Sequence, residues 1–429
     1  MQSEFFGWRV VAGAFVLAVF GWGLGFYGPP VYLHAVQEAR GWSVVLVSAA
    51  VTVHFLVGAV VVANLPALYR RFGLPNVTKA GAVLLAVGII GWAVAREPWQ
   101  LMAATFLSGA GWVAMGAAAV NAIIAPWFVH KRPAALSMAY NGASIGGVVF
   151  SPLWVVAIGH LGFPVAAMLI GAVVIVVIWP LADLVFGRTP ENTGQTPDGE
   201  TVGAPAATAS STAHALPGGQ LWRDRCFLTL AVAMALGLFA QIGLIAHLFS
   251  LLVPALGGPA AGILMGLATA SAIAGRTLVG WLMPSGSDRR LIACASLVVQ
   301  IAGSVALIMA AGTNVPLLVA GVLLFGAGIG NTTSLPPLIA QVEFAKADVQ
   351  RVVPLIVAIG QGAYAFAPAA FGALRALSAA EATLVFVAAA VVQVLAIAAF
   401  LAGRRDRPSS TSPDTGSRPT DPSPSRSSN

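Results

Sequence analysis

The sequence predicts an all-α polytopic membrane protein: twelve transmembrane helices in two six-helix, pseudo-symmetric halves. Three observations carry this. The 429 residues are 58% hydrophobic and only 9% charged, against about 25% charged in a soluble domain, a deficit that no globular core of this length can hide. The apolar residues come in runs of the ~20 residues that a bilayer demands. One hydrophilic stretch in the middle divides the runs six and six.

In chain order the expected spans are 8–34, 43–68, 77–95, 99–126, 133–158, 163–186, 225–255, 258–283, 289–312, 314–341, 351–375 and 381–403. The first reads as an uncleaved helix, because no small-residue cleavage site follows its apolar run. Its glycines 21, 23, 25 and 28, with Pro29 and Pro30, weaken it and suit either a bend or close helix packing. This divides the chain into an N-terminal half (1–186), a linker (187–224), a C-terminal half (225–403) and a tail (404–429). The linker is rich in Thr, Ala, Pro and Gly and reads as flexible. The Ser/Pro/Arg-rich tail reads as disordered.

Orientation follows from the basic residues. With both termini cytoplasmic, 18 of the 22 Lys and Arg fall on that side, Arg40, Arg96 and Arg375 fall outside, and Arg276 lies within the membrane. That asymmetry orients the chain in the plasma (inner) membrane. It also explains the net charge of +7 without a nucleic-acid partner. Cys226 and Cys294 form no disulfide framework or metal motif, and no cofactor is expected. No phosphate-binding loop, nucleophile elbow or zinc motif is present, so an enzyme is not expected.

The halves repeat one another. Gly109-Ala-Gly111 in the fourth span recurs 217 positions on as Gly326-Ala-Gly328 in the tenth. Asn141-Gly-Ala143 in the fifth recurs 220 positions on as Gln361-Gly-Ala363 in the eleventh. Two halves around a site near the midplane is the architecture of alternating-access transporters.

Arg276 sits inside the eighth apolar run. An arginine there costs roughly 2.5–3.5 kcal/mol on insertion scales. Thr269 and Ala272 share its face, and no Asp or Glu sits in the middle of another apolar run, so an anion is the expected partner. A guanidinium suits a planar carboxylate in charge and in geometry. The competing role is structural, with the side chain snorkelling or bonded to helix carbonyls. His247 in the seventh span is able to carry a proton, and the alternative is a neutral histidine near the outer interface. His54 reads as packed between helices. Asn121, Asn141 and Asn331 are buried amides that bond either to substrate or to neighbouring helices. Gln361 and Tyr364 share one face of the eleventh span, Tyr140 lies on the fifth and Tyr27 on the first; each lines the cavity or packs. Arg70, Arg71, Lys131, Arg132, Asp288, Arg289 and Arg290 are cytoplasmic. They serve orientation alone, or also join the halves at a gate.

These features resemble the major facilitator superfamily over residues 8–403, and within it the bacterial monocarboxylate and oxalate/formate branch. The branch is carried by Trp127-Phe-Val-His-Lys-Arg132 followed by Ala135, Gly142, Gly146, Gly147 and Pro152. Gly275-Arg276, Gly7-Trp8-Arg9 and Gly41-Trp42-Ser43 add to it. The resemblance implies that Arg276 binds the anion, that His247 and Asn121 lie at the cavity, and that the protein is a secondary transporter. Two departures stand out. Arg70 occupies the place of the family's acid in the second-to-third loop. Ala272 occupies the place of the acid that precedes the arginine in animal monocarboxylate carriers. The expected ligands are a small organic anion and, through His247, protons, in a monomer surrounded by lipid. The expected transport is proton symport or anion exchange. Efflux of a drug or toxic anion is the second reading, and a transporter-like sensor the third.

Overall fold

The computed structural model describes residues 5–199, 218–283, 287–377 and 383–404. The central part of the expected linker, 200–217, and the tail from 405 lie outside the described residues. Among those described, eleven apolar helices are long enough to cross a membrane, and there is no strand. The longest, Arg225–Leu282, turns at Gly257, where φ is +73°, a conformation open to glycine at little cost. Thr229 near its start meets Arg290 just beyond its end, so the chain folds back on itself and supplies two antiparallel spans, completing the expected twelve.

Three spans are broken. The first divides into Gly7–Gly25 and Pro29–Arg40, the fourth into Pro98–Ala114 and Ala117–Ile124, and the eleventh into Lys346–Ala365 and Ala367–Leu377. Proline has no N–H to return to the carbonyl four residues earlier, and in hydrocarbon another partner must take that carbonyl. Pro29 thus frees the carbonyl of Gly25, and His54 takes it through Nε2 at 2.9 Å. Tyr32 Oη donates to the carbonyl of Leu24 at 3.1 Å. At the eleventh-span break, His247 Nε2 donates to the Pro368 carbonyl at 3.0 Å, and Thr52 Oγ1 accepts from the amide of Ala369 at 3.0 Å. The two membrane-buried histidines therefore do the same work, each tying a neighbouring broken helix through its backbone.

The internal repeat is visible as packing. A Cβ built on Gly109 would lie 2.2 Å from the carbonyl oxygen of His54 on the second span, and one on Gly326 would lie 2.5 Å from that of Ala268 on the eighth. Gly111 meets Leu85 of the third span, and Gly328 meets Gln300 of the ninth. Each glycine pair thus brings the corresponding helices together in each half. The second repeat diverges: Gly142 would meet the Phe15 carbonyl at 2.2 Å, whereas nothing lies within 4 Å of a Cβ on Gly362. Gly109→Ala is expected to cost about 1–3 kcal/mol by forcing two backbones apart, while Gly362→Ala is neutral or slightly stabilising. Melting temperatures of the two purified variants check this.

Part of the expected linker is built onto the N-terminal half. Residues Pro190–Thr193 form a helical turn capped by Thr189. Asp198 then places its carboxylate on three successive amides, those of Val129, His130 and Lys131, at 3.0, 2.7 and 3.1 Å. Burial raises the Asp198 pKa, but the three amide hydrogen bonds outweigh it and hold the carboxyl below its ordinary 3.8. A depressed folded pKa contributes stability that is full above the ordinary value and lost as pH falls through the lower one. Asp198→Ala is expected to release 187–199 from the bundle at a local cost of about 1–3 kcal/mol. The readout is faster hydrogen exchange across that segment at neutral pH. Acidification below the carboxylate range should release it in the wild type as well.

We call the end of the bundle bearing this segment the linker end. The described hydrogen bonds and ring contacts between the halves lie from mid-bundle to the far end. The fifth span meets the eighth through Val155 and Gly262 and through Val148 and Gly266. The second meets the eleventh through Thr52 and Ala369, Ser48 and Gly372, and Phe55 and Tyr364. The first meets the seventh through His34 and Phe249, 5.3 Å apart edge to face.

Candidate substrate site

Where the closed far end gives way to the linker end, three elements converge. Tyr27 sits in the break of the first span, held there because His54 fixes Gly25 two residues earlier. His54 Nδ1 accepts from Ser108 Oγ at 2.9 Å, and Ser108 accepts in turn from Trp92 Nε1 at 3.1 Å. Its ring lies nearly parallel to that of Trp112, with centroids 5.6 Å apart. Gly147 of the fifth span leaves room for the Tyr27 ring, since a Cβ there would fall 2.7 Å from both Tyr27 and the Thr269 methyl. The Tyr27 hydroxyl lies beside Thr269 of the eighth span and within electrostatic reach of Arg276.

Arg276 is positioned by glycines on two helices. Gly275 lets the eighth span touch the tenth at Ala327, where a Cβ would come within 2.0 Å of the carbonyl oxygen. Gly330 then leaves space for the guanidinium, its Cβ position being 2.8 Å from Arg276 Nε. The Nε is buried and has no hydrogen-bond partner. No ion pair joins Arg276 to a carboxylate among the described residues. Next to Gly330, Asn331 is 3% exposed, with its Oδ1 also buried and unpartnered. The arrangement is a cation and a phenol hydroxyl contributed by opposite halves, meeting above small residues.

The other expected site residues divide. His247 is fully buried with Nδ1 unpartnered. Its described contacts are with the eleventh span and none joins it to Arg276 or Tyr27. The reason is helical rise, ~1.5 Å per residue. Measured from the turn at Gly257, His247 lies about 15 Å down one span and Arg276 about 28 Å down the next. Asn121 donates to Tyr140 Oη at 2.5 Å, and Tyr140 donates to the Ala117 carbonyl at 3.1 Å. That pair ties the fourth and fifth spans and packs edge-on against Trp22 at 6.1 Å. Gln361 lies one turn before Tyr364 on the eleventh span, and the Tyr364 ring meets Phe55 across the halves at 5.6 Å. Asn141 is exposed on the fifth span. Gly147, Gly330 and Trp112 were not singled out by sequence as site residues, since small and aromatic residues are common throughout this chain. Only close approach to Tyr27 or Arg276 distinguishes them.

Of the residues expected at a gate, Asp288, Arg289 and Arg290 find side-chain partners within their own half. Arg290 donates through Nε and Nη2 to both carboxylate oxygens of Glu343, at 2.7 and 2.8 Å. It also donates to Thr229 Oγ1 and to the carbonyls of Phe400 and Cys226. All five of its N–H groups are used, and it joins the seventh, ninth, tenth and twelfth spans. Asp288 caps the ninth span and accepts from Arg404, while Arg289 donates to the Leu338 carbonyl. Lys131 shares in the Asp198 contact through its backbone. Arg70, Arg71 and Lys131 are exposed, Arg132 half-buried. None of these described partners bridges the halves, because the inter-half contacts lie towards the other end.

Comparison with known proteins agrees with this architecture. The sequence model of the Major Facilitator Superfamily matches residues 11–368. An MFS-type transporter 1 from Ophiocordyceps sp. (strain BCC 1869) is 28% identical over 80% of this chain and 73% of its own. Monocarboxylate transporter 13 of Bos taurus is 29% identical over 50% of this chain and 47% of its own. Among solved structures, the nucleoside transporter NupG superimposes with a TM-score of 0.70 at 13% identity, over 93% of this chain and 99% of that one. A D-xylose-proton symporter does so with 0.69 at 14%, over 91% and 97%. At such identities the two structures speak for the fold alone.

Proposed function

Since the chain belongs to the Major Facilitator Superfamily, and is thereby a multi-pass membrane protein of a transporter family, we propose that it carries a small organic anion, a monocarboxylate, by alternating access. The observation that supports this reading is the buried, unpartnered Nε of Arg276 beside Tyr27 of the opposite half. An intramembrane guanidinium without a carboxylate is costly unless something transient neutralises it. A carboxylate accepts two parallel N–H bonds from such a group. Because Tyr27 and Arg276 sit on different halves, an anion between them favours drawing the halves together at the site. Release then follows when the halves part on one side. The similarity to a monocarboxylate transporter supports the same substrate class.

The linker end carries Arg70, Arg71, Lys131, Arg132 and Arg289, so it is the cytoplasmic end under the positive-inside rule, with the protein in the plasma (inner) membrane. In this arrangement the halves meet on the outer side. We assign no proton step to the anion site. His247 is engaged with the eleventh-span break, and Arg276 has no acid beside it, which favours exchange of one anion for another over proton symport.

The test is uptake of labelled lactate, pyruvate and oxalate into proteoliposomes, with internal anion or with an inward proton gradient. Uptake that needs internal anion and ignores the gradient is expected. Uptake driven by the gradient alone would replace exchange with symport. Wild-type protein that moves none of these anions would overturn the carboxylate reading and favour efflux of other compounds.

A further inference from the structure

We propose that Arg375 forms a second anion site at the far mouth of the bundle, where the carboxylate is held before it reaches Arg276; this rests on the transport reading above. Arg375 lies in the last turn of the eleventh span. Its side chain is half-buried, and Nη1 donates to Ser250 Oγ of the seventh span at 2.5 Å. Ser250 Oγ in turn donates to the carbonyl of His247 at 2.8 Å. The head group lies within electrostatic reach of both His247 and His34. Glu38 is exposed and is engaged by His34 at 3.6 Å.

A cation at a helix C-terminus ordinarily complements the last carbonyls or reaches out to water. Arg375 instead turns inward to a serine on another span. At the linker end Arg290 is paired with Glu343 and Lys79 with Asp183, while Arg289 donates to the Leu338 carbonyl. Among the described residues Arg375, like Arg276, has no carboxylate partner. Its one hydrogen bond goes to a neutral hydroxyl, which leaves most of a five-donor fork for an oxyanion.

The position fits a mouth. Arg375, Ser250 and His247 all belong to the C-terminal half, so their contacts survive when the halves separate. What separates is His34 of the first span from Phe249 of the seventh. Parting there uncovers Arg375 on the same half that carries Arg276 deeper in. A cation at the rim of a low-dielectric cleft concentrates anions and speeds their capture, and salt screens the effect.

The experiment compares labelled lactate uptake by right-side-out cells, which present the anion at the far end, with uptake by inside-out vesicles, at low and high ionic strength. Wild type, Arg375→Gln, Arg375→Lys and Arg276→Ala are measured together. Arg375→Gln is expected to raise KM from the far side about tenfold, to leave KM from the linker side unchanged and to abolish the salt dependence of far-side uptake. Arg375→Lys should keep most of both. An equal change on the two sides, an unchanged salt dependence, or Lys behaving as Gln would overturn the second site. If wild type transports, Arg276→Ala does not, and Arg375→Gln matches wild type, this inference alone fails. If folded wild type moves no carboxylate from either side, it fails together with the transport reading.

Discussion

Arg276→Ala is expected to abolish carboxylate transport while leaving the protein as stable as wild type or more so. The two halves of that result come from the same observation. The Arg276 Nε is buried without a hydrogen-bond partner and no carboxylate pairs with it among the described residues, so removing the charge relieves the fold. In the proposed transport cycle that charge holds the anion. Truncating one member of a buried, hydrogen-bonded charge pair costs about 2–5 kcal/mol, roughly 30- to 5,000-fold in affinity. Arg276→Lys keeps the charge and loses the fork, and should fall between. Uptake and thermal melting with and without lactate test this together. Lactate should raise the wild-type melting temperature and leave that of Arg276→Ala unmoved. An arginine that merely braces helices would behave in the opposite way: the variant would melt early, and lactate would protect neither protein.

Arg290→Ala is expected to be the most destabilising single change in the C-terminal half. Its side chain is 1% exposed, and Glu343 accepts from it with both oxygens. Removing it strands that carboxylate and opens the carbonyls of Cys226 and Phe400, at a cost of about 3–5 kcal/mol. The head group is also closely packed, since a Cβ on Gly403 would fall 2.1 Å from Nη1. Lysine cannot serve five acceptor positions, so Arg290→Lys should recover little. Replacing both partners together, Arg290→Met with Glu343→Leu, should recover much of the loss, because the pair is costly to desolvate. Melting in detergent reads all four proteins, wild type included. An Arg290→Ala protein that melts with the wild type would show that the hub holds nothing together. The two arginines therefore predict opposite phenotypes, one inactive and stable, the other unstable with its anion site intact.

How much of this was legible beforehand differs between residues. Arg276 was conspicuous because its surroundings in sequence are apolar, and the absence of intramembrane acids already pointed to a transient partner. Gly109 and Gly326 were legible as a repeat, because one helix contact is used in each half. Arg290 was not. In sequence it is one of a basic pair at a loop, like Arg70 and Arg71, and only Glu343, 53 positions on, separates it from them. His247 read as a site residue by its chemistry and its resemblance. In the structure its Nε2 donates to the carbonyl of Pro368, just past the break in a different helix. Residues 187–199 read as part of a flexible linker from their composition. Asp198 finds three amides in a loop nearly seventy positions earlier, which composition does not record.

The sequence by itself determined the environment, the number and order of the spans and their pairing into halves. Each follows from hydrophobicity and charge counted along the chain, and the bilayer enforces each span separately. Only the tertiary structure decided which polar groups are satisfied. That depends on which carbonyls broken helices release, which glycines let backbones touch, and which side chains from distant spans arrive there. In hydrocarbon every such group must find a partner within the protein. The Nε of Arg276 is one of the few that are buried without one.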